Sequence, residues 1–125
     1  TAPHSEGTAL DAARLADLVL IPCQPSIMDL RAMNKTVDLL KLVPVASYAI
    51  LNGVQHHSVA AADEAAKTIK TAFGLDVAPV RFGERVAFNR CLIDGRAAQE
   101  IDPGGKAAKE VAALHDWAVT QLNGA

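Results

Sequence analysis

Residues 17–33 read DLVLIPCQPSIMDLRAM, a stretch that passes from a strand through a turn into a helix. Its first part, Asp17 to Cys23, is a short apolar run rich in branched side chains and closed by a proline-containing turn, the pattern of a buried strand. Ser26 then opens S-I-M-D, a capping box in which the hydroxyl accepts an early amide proton and Asp29 answers it. Leu30, Met33, Val37 and Leu40 follow at spacings of three and four, which gives a helix one buried stripe, and Pro44 stops the run after Val43.

The same alternation continues outward. Ser47 to Val54 reads SYAILNGV and Asp76 to Val80 reads DVAPV, so three strands are predicted near 18–23, 47–52 and 76–80. Their apolarity is nearly continuous, as strands covered on both faces require, and this points to a parallel sheet between helices. Ser58 is expected to cap a helix whose Ala62, Ala66, Ile69 and Phe73 share a face before Gly74 supplies a left-handed exit. Asp102 before Pro103 is expected to open the last helix, with Ala107, Val111, Leu114, Ala118 and Leu122 as its stripe. Shorter helices are expected at 6–16 and 84–94. Strands alternating with helices define an α/β layer fold. Three strands make a narrow sheet with an apolar edge left open, and no strand precedes the first helix, so residues 1–125 are expected to form part of a larger α/β domain.

Composition sets the outer bounds. The chain has 125 residues, 50% of them apolar and 21% charged, enough for the core of one domain and incompatible with a disordered chain. No apolar run reaches the roughly 18 residues a bilayer span needs, and TAPHSEGT lacks the basic start and hydrophobic stretch of a signal peptide. Cys23 and Cys91 lie far apart without CxxC spacing, which suggests neither a disulfide scaffold nor a zinc site. A cytoplasmic protein with reduced thiols, no membrane partner and no bound metal of its own is the expectation.

The net charge of −2 is unevenly placed. Residues 81–109 hold six basic side chains against four acids, and four of the six arginines fall between Arg81 and Arg96. Two readings stand: a solvated helical face, or a local basic surface for an anionic polymer. In open parallel sheets a ligand sits beyond the carboxyl ends of the strands. Those ends carry Gln24, Pro25 and Ser26, then Asn52 and Gly53, then Arg81 and Phe82. The Asn52 carboxamide offers a donor and an acceptor together, suited to a purine edge, and asparagine before glycine is equally a turn former. His56 and His57, adjacent after a strand, read as surface histidines because loop neighbours rarely meet on one ion without a third ligand.

These residues together resemble a family. The opening TAPH is similar to the residues that come after the aspartate of a D-T-x-P motif, and DLVLIPCQPSIMDLRAM resembles the next strand, turn and helix of partition ATPases of the ParA type. ILNGV resembles the strand that ends in that family's adenine-contacting asparagine, while Arg85, Phe88, Gly95, Glu100 and DPGGKAAKEVAAL resemble its closing helices. The resemblance covers nearly the whole chain. It implies a P-loop NTPase-like sheet and a deviant Walker-type ATPase that uses ATP and Mg2+. It further implies a homodimer that binds nonspecific DNA, answers to a ParB-like activator and partitions plasmids or chromosomes. Asn52 matches the base-contacting position, Thr1 and Pro3 the segment flanking the γ-phosphate, and Arg81 with Phe82 the wall of the base. Arg85, Arg90 and Arg96 are the candidates for contact with the DNA backbone.

The chain departs from the family's pattern in lacking G-x-x-x-x-G-K-S/T; Gly104, Gly105 and Lys106 have neither the leading glycine nor the hydroxyl for magnesium. The phosphate loop, its lysines and the magnesium-side aspartate are therefore expected upstream of Thr1, and no catalytic residue is assigned within the chain. A MinD-like membrane-binding relative would call for a basic amphipathic tail, and Glu110 to Ala125 contains no lysine or arginine. An iron-sulfur relative would need cluster cysteines in loops, whereas Cys23 and Cys91 read as core positions. The remaining alternative is a non-catalytic α/β interaction module or a truncated product.

Overall fold

A computed structural model describes residues 6–124, apart from the side chains of residue 6 and residues 27–29. The order is α1 (Glu6–Leu15), β1 (Val19–Cys23), α2 (Ile27–Leu40), β2 (Ser47–Leu51), α3 (Val59–Phe73), β3 (Asp76–Val77), α4 (Val86–Asp94), α5 (Ala98–Ile101) and α6 (Lys106–Gly124). The three strands form one parallel sheet in the order β1-β2-β3, with Val19 opposite Ser47 and Tyr48 opposite Asp76. The α/β class, with a three-strand parallel sheet flanked by helices, is what the apolar runs required.

Side chains alternate across the sheet, and this decides what each face holds. Ile21, Cys23, Ala49 and Leu51 project into one cluster with Met33 and Val37 of α2 and Ala62, Ala65 and Ile69 of α3. Tyr48 projects the other way. Its ring meets Trp117 of α6 edge to face at a centroid distance of 4.8 Å, and its hydroxyl donates to Gln121 Oε1 at 3.1 Å. Burying the tyrosine body while bonding its polar tip suits a residue at the margin of a core.

Several boundaries differ from the sequence-based expectation, each for a physical reason. Strand β3 is two residues long where 76–80 was expected, because its alternate-residue pairing with β2 ends at Ala78; Pro79 stands where an N–H would face away from β2, as proline on an edge strand can. Ala78 N–H still donates to Ala49 O, but the next bond to β2 runs from Phe82 N–H to Leu51 O. Regular pairing would have used residue 80, so residues 79–81 bulge outward. The last helix begins at Lys106, since Asp102 caps α5 and its carbonyl accepts from Gly105 in a turn through Pro103 and Gly104. The short α5 was not foreseen; Glu100 fastens its start by accepting from the Ala97 N–H.

The stripe of α2 also divides. Met33 and Val37 are buried, whereas Leu30 and Leu40 are half-buried at the rim of the cluster. On α6 the burial centres on Ala107 and Ala108, and Leu122 is exposed, because the sheet beneath the helix is narrow. Ser58 precedes α3 without a side-chain capping bond, while Gly74 supplies the expected left-handed exit with φ of 66°. The Asp29 half of the S-I-M-D box lies outside the described side chains. Among the described residues no helix is long and apolar enough to cross a membrane.

Candidate functional site

The carboxyl ends of β1 and β2 are laced together just where the ladder stops. Asn52 N–H donates to Cys23 O at 2.8 Å, which holds the residue after β2 beside the residue that ends β1. The chain then reverses at Gly53, whose φ of 65° belongs to the left-handed region that glycine enters without a Cβ penalty. The Asn52 side-chain oxygen accepts the Gly53 N–H at 3.0 Å, so Oδ1 closes the turn, as the turn-former reading of this residue expects. Gln24 lies against the same turn, its Nε2 within 3.5 Å of where a Cβ on Gly53 would stand. Asn52 and Gln24 are exposed, and Ser26 N–H donates to Gln24 O as the chain enters α2.

Phe82 reaches this place by the outward detour of residues 79–81. Its N–H donates to Leu51 O at 2.9 Å and its carbonyl accepts from Val54 N–H at 3.0 Å, so its backbone brackets Asn52 and Gly53 from the β3 side. The half-buried ring packs edge to face on Phe88 of α4 at 5.6 Å. Gly83 pairs with Val54 in an isolated parallel bridge, and Glu84 N–H donates to Val54 O. Gln24, Asn52, Gly53 and Phe82 thus form an open shelf at the carboxyl end of the sheet, the position where open α/β sheets receive ligands. The shelf is bounded by the exposed Asn52 carboxamide and by the Phe82 backbone.

The arginines are used unequally. Arg81 donates from Nη1 to Asp63 Oδ1 of α3 at 2.7 Å, which ties the outward bulge to that helix. Arg85 turns inward: Nη2 and Nε donate to Glu110 Oε1 at 2.7 and 3.2 Å, and Glu110 Oε2 accepts the Gly83 N–H at 3.2 Å. Arg96 pairs with Asp94 at 3.3 Å on the surface. Arg90 is exposed on α4 and makes no ion pair among the described residues. Arg85, Arg90 and Arg96 therefore do not form one row of free charge; among the described residues, Arg90 alone of the three presents an uncompensated guanidinium.

Thr1 and Pro3 lie outside the described residues. His56 and His57 are exposed on the turn after Val54, their rings edge to face at 5.3 Å. Among the described residues no three histidine, cysteine, aspartate or glutamate side chains gather as a metal site would require. Cys23 is buried in the sheet core and Cys91 is half-buried, its thiol donating to Ala87 O. Sequence reasoning missed Glu110 and Gly83. Their one sequence signal was a carboxylate on the inner side of the last helix, and nothing in the spacing tied it to Arg85.

Neither a scan against protein-family models nor a search of curated proteins finds a match to this chain.

Proposed function

We propose that the chain is the base-recognising, carboxyl-terminal portion of a ParA-type deviant Walker ATPase with a P-loop NTPase-like sheet, working in the cytoplasm as an ATP-dependent homodimer on nonspecific DNA with a ParB-like activator. The observation that carries this reading is the shelf itself: Asn52 stands exposed just past the carboxyl end of the central strand, with the Phe82 backbone alongside. The shelf fits a purine edge. It does not fit a triphosphate, because phosphates need a concave row of amides and a lysine, and the chain has no Walker loop. The phosphate loop and the magnesium ligands would come from sequence preceding Thr1, as would the partners of Thr1 and Pro3 at the γ-phosphate. ATP and Mg2+ supply phosphoryl-transfer chemistry there; the part of this chain is to hold the base and leave the phosphates to that segment.

The coding sequence upstream of Thr1 tests the proposal at once. An aspartate immediately before Thr1 and K-G-G-x-G-K-S/T further upstream are expected; a reading frame without them overturns the ATPase assignment. The second reading, a non-catalytic interaction module, is favoured by one observation: α4 exposes Val86, Leu92 and Ile93 by 73%, 90% and 82%. Exposed apolar side chains clustered on one short helix mark contact surfaces. Stable capture of a protein partner, lost on Leu92→Asp and indifferent to nucleotide, would decide for that reading.

A further inference from the structure

We infer that Glu110 is a positioning residue of the shelf, acting from α6 on the Phe82–Gly83 wall; this rests on the reading of the shelf as a base site. The segment from Pro79 to Arg85 belongs to no helix and no named strand. Its bulge is tied to α3 through Arg81 and Asp63, and its Phe82–Arg85 end is held from one side by ladder bonds to Leu51 and Val54 and from the other by the Glu110 carboxylate. Glu110 is largely buried, its side chain 17% exposed, and it accepts three hydrogen bonds: one from Gly83 N–H and two from Arg85. Charge-assisted bonds of this forked kind fix direction as well as distance.

The rest of the cluster is built around that grip. Gly83 is buried, and the Arg85 guanidinium occupies the space its side chain would take: a Cβ there would stand 2.6 Å from Nη2. Only glycine lets the arginine fold back over the backbone to reach Glu110. The helix that carries Glu110 is anchored independently, by buried Ala107 and Ala108 and by Trp117 and Gln121 on Tyr48. A fixed helix therefore grips Gly83, whose neighbour Phe82 is the wall beside Asn52. Without the carboxylate, a buried N–H loses its acceptor and Arg85 loses its counter-charge, and the wall is released while the sheet core stays in place.

The test is amide exchange and adenosine titration, read by NMR on the 125-residue chain, for the parent, Glu110→Ala and Glu110→Gln. Adenosine is the probe because it needs no phosphate site. In Glu110→Ala the Gly83 amide is expected to exchange about ten-fold faster or more, with Leu51 and Ile69 unchanged within about two-fold as the mark of an intact core. Adenosine-induced shifts at Asn52 and Gly53 are expected to need at least about five-fold more ligand. Glu110→Gln keeps an uncharged acceptor for Gly83 and weakens the link to Arg85, so it is expected to fall between the other two on both readouts. If Glu110→Ala does not fold, Glu110→Gln carries the test alone, and parent-like exchange and affinity in it overturn the inference. A parent that responds to adenosine beside an Ala variant that responds equally overturns the role of Glu110 alone. A parent that shows no response overturns the base reading, and the ligand-directed role of Glu110 falls with it.

Discussion

Replacing Ile69 by alanine is the sharpest test of how the sheet and helices are joined. Ile69 has no exposed surface and sits in α3 against Leu51 of β2, with Ala62 and Ala65 as the other buried residues of its helix. Ile→Ala removes three carbons, worth about 2.4 kcal/mol at about 0.8 kcal/mol for each buried methylene. Alanine neighbours cannot lean in to fill the space, so a cavity term is added and the expected cost is about 3 to 4 kcal/mol. With a urea dependence near 2 kcal/mol per molar, the midpoint falls by about 1.5 to 2 M. Leu40, half-buried at the rim, is expected to cost only about 1 to 2 kcal/mol on the same change. The assay is urea unfolding followed by the fluorescence of Trp117, the one tryptophan, which rests on Tyr48 of the opposite sheet face. Far-ultraviolet circular dichroism on the same samples checks that the two faces unfold together. A midpoint shift for Ile69→Ala no larger than that for Leu40→Ala would refute the packing described, as would separate transitions for the two probes.

Three further outcomes concern the site. Gly53→Ala keeps ordinary clearance from Gln24 but forces a side chain into the left-handed region, so thermal unfolding is expected to report a loss of about 1 to 2 kcal/mol. Gly83→Ala pushes the Arg85 guanidinium away from Glu110 and is expected to cost about 1 to 3 kcal/mol; because it breaks the same link as Glu110→Gln, the double variant should cost clearly less than the sum, and strict additivity would refute the link. On the proposed DNA-binding role, Arg90→Ala is expected to weaken DNA of every sequence alike and to lower the salt slope by about one, with stability unchanged within about 0.5 kcal/mol. Arg85→Ala is expected to lower stability first, and an equal loss of DNA affinity from a stable Arg85→Ala would show that its guanidinium leaves Glu110 to meet phosphate.

What the sequence disclosed and what it hid have separable causes. Strands β1 and β2 and helices α2 and α3 were legible because their apolar residues recur with the period of the element and stop at Pro44 or Gly74. Asn52 was legible because a strand end before glycine is a position defined by local order alone. Strand β3 was overextended because DVAPV is apolar enough for a strand, while the shift of the next ladder donor from Val80 to Phe82 leaves no mark in the local pattern. Leu40 was placed too deep because helical spacing records which face a residue occupies and not how far the sheet beneath it reaches. Arg85 looked like free charge because its partner lies 25 residues away, a distance that only the return of α6 across the second sheet face closes. Local pattern carried the elements, and the tertiary grip that shapes the shelf was silent in it.

The measurement that bears most directly on the proposed role is calorimetric titration of ATP, with magnesium, into the chain joined to its native upstream sequence, beside its Asn52→Ala variant. Inorganic tripolyphosphate serves as the reference ligand without a base. The hydrogen bonds lost with Asn52 address the base, each worth roughly 0.5 to 1.5 kcal/mol net, so ATP is expected to weaken several-fold while tripolyphosphate is unchanged. Equal ATP affinity in the two proteins, or an equal loss for ATP and tripolyphosphate, would contradict base recognition by Asn52. Tight magnesium-dependent binding of ATP by the 125 residues alone would contradict the division of the site between this chain and a preceding phosphate loop.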